Sequence, residues 1–492
     1  MMQMTTAFTI CEGGGHFFSL KLCAMNQLKN VVCRLVIPCF LLLPACIFGQ
    51  QKAPNVIIIL TDDLGYGDVG FNGSTEIPTH GIDRIASNGV VCTNGYVSFA
   101  VCGPSRAGLI TGRYQDRFGF SRNPLLAPKD STMGLPLSEE TLATFLKRAG
   151  YHTSILGKWH LGAHPSQHPN KRGFDEFYGF LEGGHKYFPS DWDLNDISET
   201  RTQYDGYRTK MLRNNLVVEE TEYLTDALSR EAVDFVKRNS TKSFFLYLAY
   251  NAPHAPMEAT EKYLARFPHI TDKKRKTYAA MVSAVDDGVN QLLNTLEDLK
   301  IDDNTLVFFL SDNGGPTNAN ASSNKPLRGF KGDFFEGGIR VPFAVQWKGV
   351  IPKGTKYQQP VISLDIFGTA AGLTGLKPIN EIDGVNLIPF FTGKNAGVPH
   401  NSLFWRGSNS EKWAVRTPDE KMLIIQNKSQ LYDIKTDISE KTDKSATNNL
   451  SVSKLHSMLE NWKKLLIPPA FLGLMEDKKY SELHPDRFTP NK

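Results

Sequence analysis

Two almost wholly apolar runs, at residues 55–60 and 304–310, set the strongest constraint on the fold of this chain. Such runs are typical of central strands in a parallel sheet, whose two faces are both covered. In open α/β sheets, ligands bind at the carboxyl ends of the strands. Each run is followed within a few residues by polar side chains with oxygen ligands, which are Asp62, Asp63, Asp312 and Asn313.

Strands and helices alternate through the first 400 residues. We predict helices at 79–88, 138–148, 225–238 and 276–299, and strands at 153–156 and 243–250. The alternation predicts an α/β fold with a large mixed, mostly parallel sheet sandwiched between helices. Beyond residue 400, four short alternating stretches and a helical pattern at 451–466 predict a smaller antiparallel sheet plus a helix. We therefore expect a main domain at 51–400 and a C-terminal subdomain at 401–492.

The N-terminal segment at 1–50 has the pattern of a signal peptide. Its apolar stretch at 31–48 is broken by two prolines and is a poor membrane span, so we expect no stable span. Cleavage near Gly49 predicts a periplasmic or secreted protein. The alternative to this cleavage is lipid attachment at Cys46. Met25 lies at the natural start of such a peptide, so the true start could be Met25.

Net charge and cysteine count give no sign of a nucleic-acid-binding protein or of a disulfide-rich fold. The net charge is only +4, without long blocks of one sign, so nothing indicates a nucleic acid partner. Five of the seven cysteines precede residue 50, which leaves Cys92 and Cys102 in the mature chain. These two could pair, although a chain of this size needs no disulfide. We expect Cys92 to be structural.

Cys102 opens the stretch Cys-Gly-Pro-Ser-Arg, which predicts a tight turn leading into a helix. Gly103 would allow the turn, and Pro104 suits a first helical position. Arg106 follows one turn later and can reach back towards Cys102. A lone cysteine is usually a small buried apolar residue, but these neighbours argue against a plain core position.

The four oxygen ligands at the strand ends predict a metal site. Carboxylates crowded together repel unless a cation lies among them, and oxygen ligands favour calcium or magnesium over zinc. The alternative for any single aspartate is a turn or a helix cap. Two polar strand ends together favour the metal.

Cationic and titratable residues follow other predicted strands. Lys158 and His160 are two residues apart, so on an extended segment they would project to the same side and suit an anionic substrate. His254 lies between two prolines after the strand at 243–250, and Lys331 lies between glycines. The alternative for each histidine, taken alone, is a core or surface residue without a function. The alternative for Lys331 is a solvated loop residue.

In this order, the stretches resemble the type I, formylglycine-dependent sulfatases of the alkaline-phosphatase superfamily, and bacterial polysaccharide sulfatases in particular. Residues 102–106 match the family's Cys-x-Pro-x-Arg motif, and residues 157–162 match its second motif. The resemblance extends from residue 55 to beyond 342 and resumes weakly at 431–434. It implies that the main domain is the catalytic domain of a sulfatase.

The resemblance also implies the parts of the site. Cys102 would be oxidised to formylglycine (3-oxoalanine) by a formylglycine-generating or an anaerobic sulfatase-maturating enzyme, and its hydrate would attack sulfur. One Ca²⁺ would be held by residue 102 and the four strand-end ligands named above. The remaining roles are carried over as follows: Arg106 would steady the hydrate, and Lys158 and Lys331 would bind sulfate oxygens. His160 would take the proton that releases sulfate, and His254 would protonate or polarise the leaving alcohol oxygen.

The substrate implied by the resemblance is a sulfated poly- or oligosaccharide, with algal ulvan or carrageenan and host glycosaminoglycans as examples. A serine found in many family members has no counterpart near residues 183–185, so His185 or Lys186 would contact substrate instead. Further sugar contacts are expected in the loops at 163–222, namely Arg172, Tyr187 and Trp192. The alternatives are a phosphonate monoester or phosphodiester hydrolase of the same superfamily and a secreted glycan-binding protein with a relic site.

Overall fold

The computed structural model describes residues 53–408 and 411–488. The predicted signal peptide, with Met25 and Cys46, lies outside the described residues. Within the described part of the chain, every helix is too short or too polar to cross a membrane.

The strands, in chain order, are β1 (Asn55–Thr61), β2 (Val90–Cys92), β3 (Gly95–Tyr96), β4 (His152–Lys158), β5 (Glu176–Phe180), β6 (Met211–Arg213), β7 (Leu216–Val218), β8 (Phe244–Ala249), β9 (Thr305–Ser311), β10 (Phe343–Gln346), β11 (Thr355–Tyr357), β12 (Val361–Ile362), β13 (Leu403–Arg406), β14 (Lys412–Arg416), β15 (Glu420–Ile425) and β16 (Lys428–Asp433). The α-helices are α1 (His80–Ser87), α2 (Cys102–Thr111), α3 (Leu142–Arg148), α4 (Leu224–Asn239), α5 (Glu261–Leu264), α6 (Lys273–Asp298), α7 (Thr317–Asn320), α8 (Glu336–Ile339), α9 (Asp365–Thr374), α10 (Ile388–Phe391), α11 (Asn449–Lys463) and α12 (Asp477–Leu483).

Ten strands form one sheet in the order β11-β2-β10-β9-β1-β8-β4-β5-β6-β7. The central strands β9, β1, β8, β4 and β5 run parallel, whereas β10 is antiparallel to both of its neighbours. This confirms the predicted mixed, mostly parallel sheet. Strand β1 lies at its centre, so the ends of β1, β9, β8 and β4 share one edge.

Helices cover both faces of the sheet because the side chains of β1 alternate between two cores. Val56 and Ile58 belong to the core on one face, with apolar residues of α2, α3 and α9. Ile57 and Ile59 belong to the core on the other face, with residues of α1, α4 and α6. Burial on both faces explains why the run shows no polar alternation, and it confirms the predicted sandwich.

Strands β13 to β16 form the predicted antiparallel sheet near the C-terminus, and α11 packs on it. Their shared core also includes Tyr96 and Phe99, which come from the segment before α2. Trp405 Nε1 donates to Val97 O at 2.8 Å, which joins this sheet to the same segment. The division of the chain at residue 400 stays a prediction.

One predicted helix start differs from the structure. The helix expected from residue 138 begins only at Leu142, where the Thr141 side chain accepts a hydrogen bond from Thr144 N. The helix predicted at 79–88 spans His80–Ser87, and Thr79 precedes it. The Thr79 hydroxyl accepts a hydrogen bond from Gly70 N at 2.7 Å and caps no N–H of this helix.

Candidate active site

Cys102 is the first residue of α2, and the residue before it, Val101, is extended. Gly103 therefore lies inside the helix, and the prediction that it forms a sharp turn is wrong. A Cβ at Gly103 would lie 2.9 Å from Asn123 Oδ1. Its backbone N–H donates to the same oxygen at 2.8 Å. Glycine is needed at position 103 because a larger side chain would collide with Asn123.

The two acidic strand ends meet beside Cys102. Strands β1 and β9 pair in parallel, so the residues that follow them share an edge. One ligand atom each from Asp62, Asp63, Cys102 and Asp312 lie within 4.8 Å of one another. Asp63 has φ of 67°, in the left-handed region, and Asp312 Oδ1 accepts a hydrogen bond from its N–H at 3.3 Å. The structure thus brings these four side chains together, and their role as metal ligands stays a prediction.

The residues present fit a hard divalent cation. Asn313 Nδ2 donates to Asp63 Oδ1 at 2.6 Å, but Asn313 Oδ1 is buried without a hydrogen-bond partner among the described residues. A buried acceptor of this kind is destabilising unless a ligand or water satisfies it. Together with three buried carboxylates, it makes an all-oxygen set of the type that Ca²⁺ prefers.

Three basic side chains surround the same point. Arg106 Nε lies 2.9 Å from Asp312 Oδ2, and Lys158 Nζ lies 2.5 Å from Asp62 Oδ2. Lys331 Nζ lies 2.8 Å from Asp63 Oδ1. Three cations thus balance three carboxylates, and an added divalent cation would give the site a positive charge that suits an anion.

These charges shift the pKa values of the cluster in opposite directions. Burial raises the pKa of Asp312 to about 6, and the charge of Asp62 acts in the same direction against Arg106. Burial alone would also raise the pKa of Asp62, but Lys158 and other nearby cations outweigh it and hold that pKa far below its usual range.

The Cys102 side chain is a protonated thiol in this environment. Burial raises its pKa above the usual range, and the charges of Asp312 and Asp62 add to the shift. Its Sγ donates to Asp62 Oδ1 at 3.3 Å and accepts from Lys331 Nζ at 3.1 Å. Since the thiolate is the nucleophilic form, this surrounding does not favour a cysteine nucleophile.

His160 reaches the site by a backbone conformation that the sequence pattern did not predict. The segment was expected to be extended, but His160 has φ of 56°, two residues after the end of β4. Its ring is buried beside Gly183, and its Nδ1 has no hydrogen-bond partner among the described residues. Burial lowers the pKa of His160 well below its usual range, with Lys158 acting in the same direction, so the ring is neutral and can accept a proton.

His254 also lies against the cluster. Its Nδ1 lies 2.6 Å from Ala255 O, which leaves Nε2 facing the acids at 3.7 Å from Asp63 Oδ2. One ligand atom each from His254, Asp62 and Cys102 lie within 4.8 Å of one another. The side chains of His254 and Lys331 are 16% and 17% exposed, so solvent reaches the cluster from this side.

Several residues that were predicted to contact sugar instead form hydrogen bonds within the protein. His185 is fully buried, and its two ring nitrogens each lie 2.8 Å from a backbone carbonyl. Arg172 donates to three backbone carbonyls, and Tyr187 and Trp192 are buried with their polar atoms bonded to carbonyls. These positions do not support sugar contacts, because loops 163–222 fold inward here. Lys186 pairs with Glu258 at 2.8 Å and stays 35% exposed.

Sequence reasoning missed Asn251, Tyr207 and Glu182, three buried or partly buried side chains that the fold brings against other segments. Asn251 is 1% exposed, and neither of its side-chain polar atoms has a partner among the described residues. A Cβ at Gly184 would lie 2.7 Å from Tyr207 Oη, and one at Gly206 would lie 2.4 Å from Glu182 Cγ. Burial raises the pKa of Glu182 to about 8. No local pattern marks these residues, since each is placed by a distant segment.

The sulfatase family model matches residues 54–376. N-acetylgalactosamine-6-sulfatase from Homo sapiens is 37% identical over 358 residues, which cover 69% of this chain and 66% of that protein. The uncharacterized sulfatase YdeN from Escherichia coli strain K12 is 31% identical over 418 residues, covering 74% of this chain and 70% of that protein. The structure of Ps i-CgsB in complex with k-i-k-neocarrahexaose superposes with a TM-score of 0.82 at 40% identity, covering 89% of this chain and 100% of that chain.

Proposed function

The chain belongs to the sulfatase family of sulfuric ester hydrolases, and we propose that it removes sulfate from a sulfated carbohydrate at the Cys102 cluster. The observation that carries this proposal is the convergence of three carboxylates, three cations and two histidines on residue 102. Such a site combines a metal-binding set with positive charge for an anion and with groups that exchange protons.

The nucleophile in this proposal is formylglycine, made from Cys102 by a maturation enzyme. A buried, protonated thiol is a poor nucleophile, whereas a hydrated aldehyde carries hydroxyl groups at the same position. One Ca²⁺ would be held by residue 102 with Asp62, Asp63, Asp312 and Asn313. When bound, it would polarise oxygen atoms and attract the sulfate group.

The basic residues bind and orient the ester. Lys158 contacts Asp62 and Lys331 contacts Asp63 in the cluster around Cys102, so both can hold sulfate oxygens as negative charge develops. Arg106 is fully buried against Asp312 and also donates to Lys158 O at 3.2 Å. It therefore orients residue 102 and the Lys158 segment.

The two histidines move protons at different atoms. His160 is neutral, and it takes the proton from residue 102 that allows sulfate to leave. His254 lies on the solvent-facing side with Nε2 pointing inward. Burial lowers the pKa of His254, whereas the charges of Asp62 and Asp63 favour the doubly protonated ring. In that form Nε2 carries a hydrogen and gives it to the oxygen of the departing sugar alcohol.

Two relatives support a carbohydrate substrate. One is named for N-acetylgalactosamine-6-sulfate, and the other is in complex with a neocarrahexaose. We infer that the substrate is a sulfated glycan of the carrageenan or glycosaminoglycan type. The N-terminal pattern adds the proposal that the enzyme acts in the periplasm or outside the cell, where such glycans are met.

A substrate panel tests this function. Sulfate release is measured by ion chromatography on carrageenan, ulvan and glycosaminoglycan oligosaccharides, with phosphonate monoesters and phosphodiesters beside them. We expect release from at least one sulfated oligosaccharide and slower turnover of the phosphorus esters. Faster release from a phosphorus ester would contradict the sulfatase proposal, and binding without any turnover would indicate a relic site.

A further inference from the structure

A cavity of about 410 Å³ lies beside the Cys102 cluster, between the start of α2 and the C-terminal segment. Its wall includes Val101 and Gly332, the chain neighbours of Cys102 and Lys331. Gly332 N donates to Ala100 O at 2.9 Å and so joins the two segments at this wall. A group bound in the cavity is therefore next to a substrate that reaches residue 102.

Two adjacent residues of the wall carry buried polar atoms without partners. Ser121 is 0% exposed, and its Oγ has no hydrogen-bond partner among the described residues. Arg122 Nε is also buried and unpartnered there, although Nη1 donates to Phe471 O at 3.3 Å. Such donors are destabilising unless something satisfies them. A ligand with acceptor oxygens would satisfy both.

The other walls suit a sugar that carries negative charge. Phe99 and Phe334 pack edge to face, with ring centroids 5.8 Å apart, and form an apolar surface. Lys412 adds a second positive charge beside Arg122. Glu476 Oε1 lies 3.6 Å from Arg122 Nη2, too far for a tight pair. Apolar walls with a few polar groups are typical of ligand sites, and the balance of charge here is positive.

We propose that this cavity binds a second acidic group, a sulfate or carboxylate, on the sugar next to the one that loses sulfate. The inference rests on the proposed function and narrows its substrate class to polyanionic oligosaccharides. Arg122 binds the acidic group with its planar guanidinium, a geometry that suits such anions. Ser121 Oγ donates a further hydrogen bond, and Glu476 accepts one from a sugar hydroxyl.

The test uses the glycan that the substrate panel identifies. Values of kcat/KM are measured for a disaccharide with one sulfate and for a hexasaccharide of the same repeat with several. The wild type should prefer the hexasaccharide, and Arg122→Met should lower the ratio of the two values about tenfold. Ser121→Ala should lower the ratio in the same direction, and added salt should weaken the wild-type preference. Lys435→Met, a control at an exposed lysine, should leave the ratio unchanged.

The outcomes separate the two proposals. If the wild type releases sulfate but both cavity variants keep its ratio, or lose activity equally on both substrates, the cavity assignment is overturned and the proposed function stands. If the wild type releases sulfate from no member of the panel, the proposed function itself is overturned, and the cavity assignment falls with it.

Discussion

Lys331 Nζ lies 3.1 Å from Cys102 Sγ, although 229 residues separate the two in the chain. The same ammonium group contacts Asp63, and its side chain is 17% exposed. Lys331 therefore lies between Cys102 and solvent, the position expected of a residue that binds an incoming sulfate group.

Replacing Lys331 should impair catalysis more than folding. Lys331→Met removes a cation that stabilises charge in the transition state, so kcat/KM should fall by about a hundredfold or more. The thermal midpoint should change little, because the side chain is partly exposed. Lys353→Met, at an exposed lysine, should keep wild-type activity. A Lys331→Met enzyme with near wild-type kcat/KM would remove this lysine from the mechanism.

Calcium should stabilise the folded protein. A ligand that binds only the native state raises the free energy of unfolding, by about 2.7 kcal/mol at a hundred times its Kd. After chelation, adding Ca²⁺ should raise the thermal midpoint and restore activity. Asn313→Ala should need more Ca²⁺ for the same shift, since it removes the buried unpartnered oxygen. A midpoint that responds to Zn²⁺ and not to Ca²⁺ would be inconsistent with the oxygen set.

A buried ion pair ties the C-terminal sheet to the loop that carries Lys331. Lys421 Nζ lies 2.9 Å from Glu336 Oε1 and 2.9 Å from Glu440 Oε1, and all three side chains are fully buried. Lys421→Met leaves Glu440 without this cation and Glu336 with Arg340 Nη1 at 3.2 Å, so the free energy of unfolding should fall by about 3–5 kcal/mol. Urea denaturation measures it.

The control for Lys421 is the exposed pair of Lys435 with Asp419, whose side chains are 74% and 70% exposed. Lys435→Met breaks this contact and should lower the free energy of unfolding by less than about 1 kcal/mol. Equal effects of the two substitutions would show that the buried network contributes nothing beyond a surface pair.

His185 should make stability depend on pH. Burial lowers its pKa to about 4, although the Lys186 and Thr209 carbonyls favour the protonated ring. The unfolded imidazole has a pKa of about 6.5, so the native state binds fewer protons between these values. The stabilisation is complete above about pH 6.5 and is lost as the pH falls towards 4, by up to about 3 kcal/mol.

The variant His185→Gln isolates this contribution. Its free energy of unfolding, measured in urea at about pH 7 and about pH 4.5, should fall less steeply than that of the wild type. His456→Gln, on α11, serves as the control for loss of an imidazole. If His185→Gln and wild type lose stability equally on acidification, His185 does not titrate as described.

The meeting of the acidic strand ends could be predicted from the sequence, because it depends only on where the strands lie and on their parallel pairing. Apolar runs at 55–60 and 304–310 identified buried strands, and parallel pairing brings the residues after them to one edge. Asp62 and Asp312 therefore had to meet. The C-terminal sheet was predicted in the same way, from short alternating stretches.

Other parts of the site depend on contacts between distant segments. The left-handed backbone of His160 follows from its hydrogen bond to Leu181 O and from its packing on Gly183. Arg172 was predicted to contact sugar, but its guanidinium donates to the carbonyls of Leu135 and Glu139. Neither outcome has a signature in the neighbouring residues.

The central claim is that residue 102 provides the nucleophile for sulfate ester hydrolysis. It is tested most directly by sulfate release, measured by ion chromatography, from the best substrate of the panel by wild-type protein and by Cys102→Ala. We predict steady release by protein whose residue 102 carries the aldehyde in mass spectra, and none by folded Cys102→Ala. Equal release by both proteins, or release by wild type with an intact thiol at residue 102, would contradict the claim.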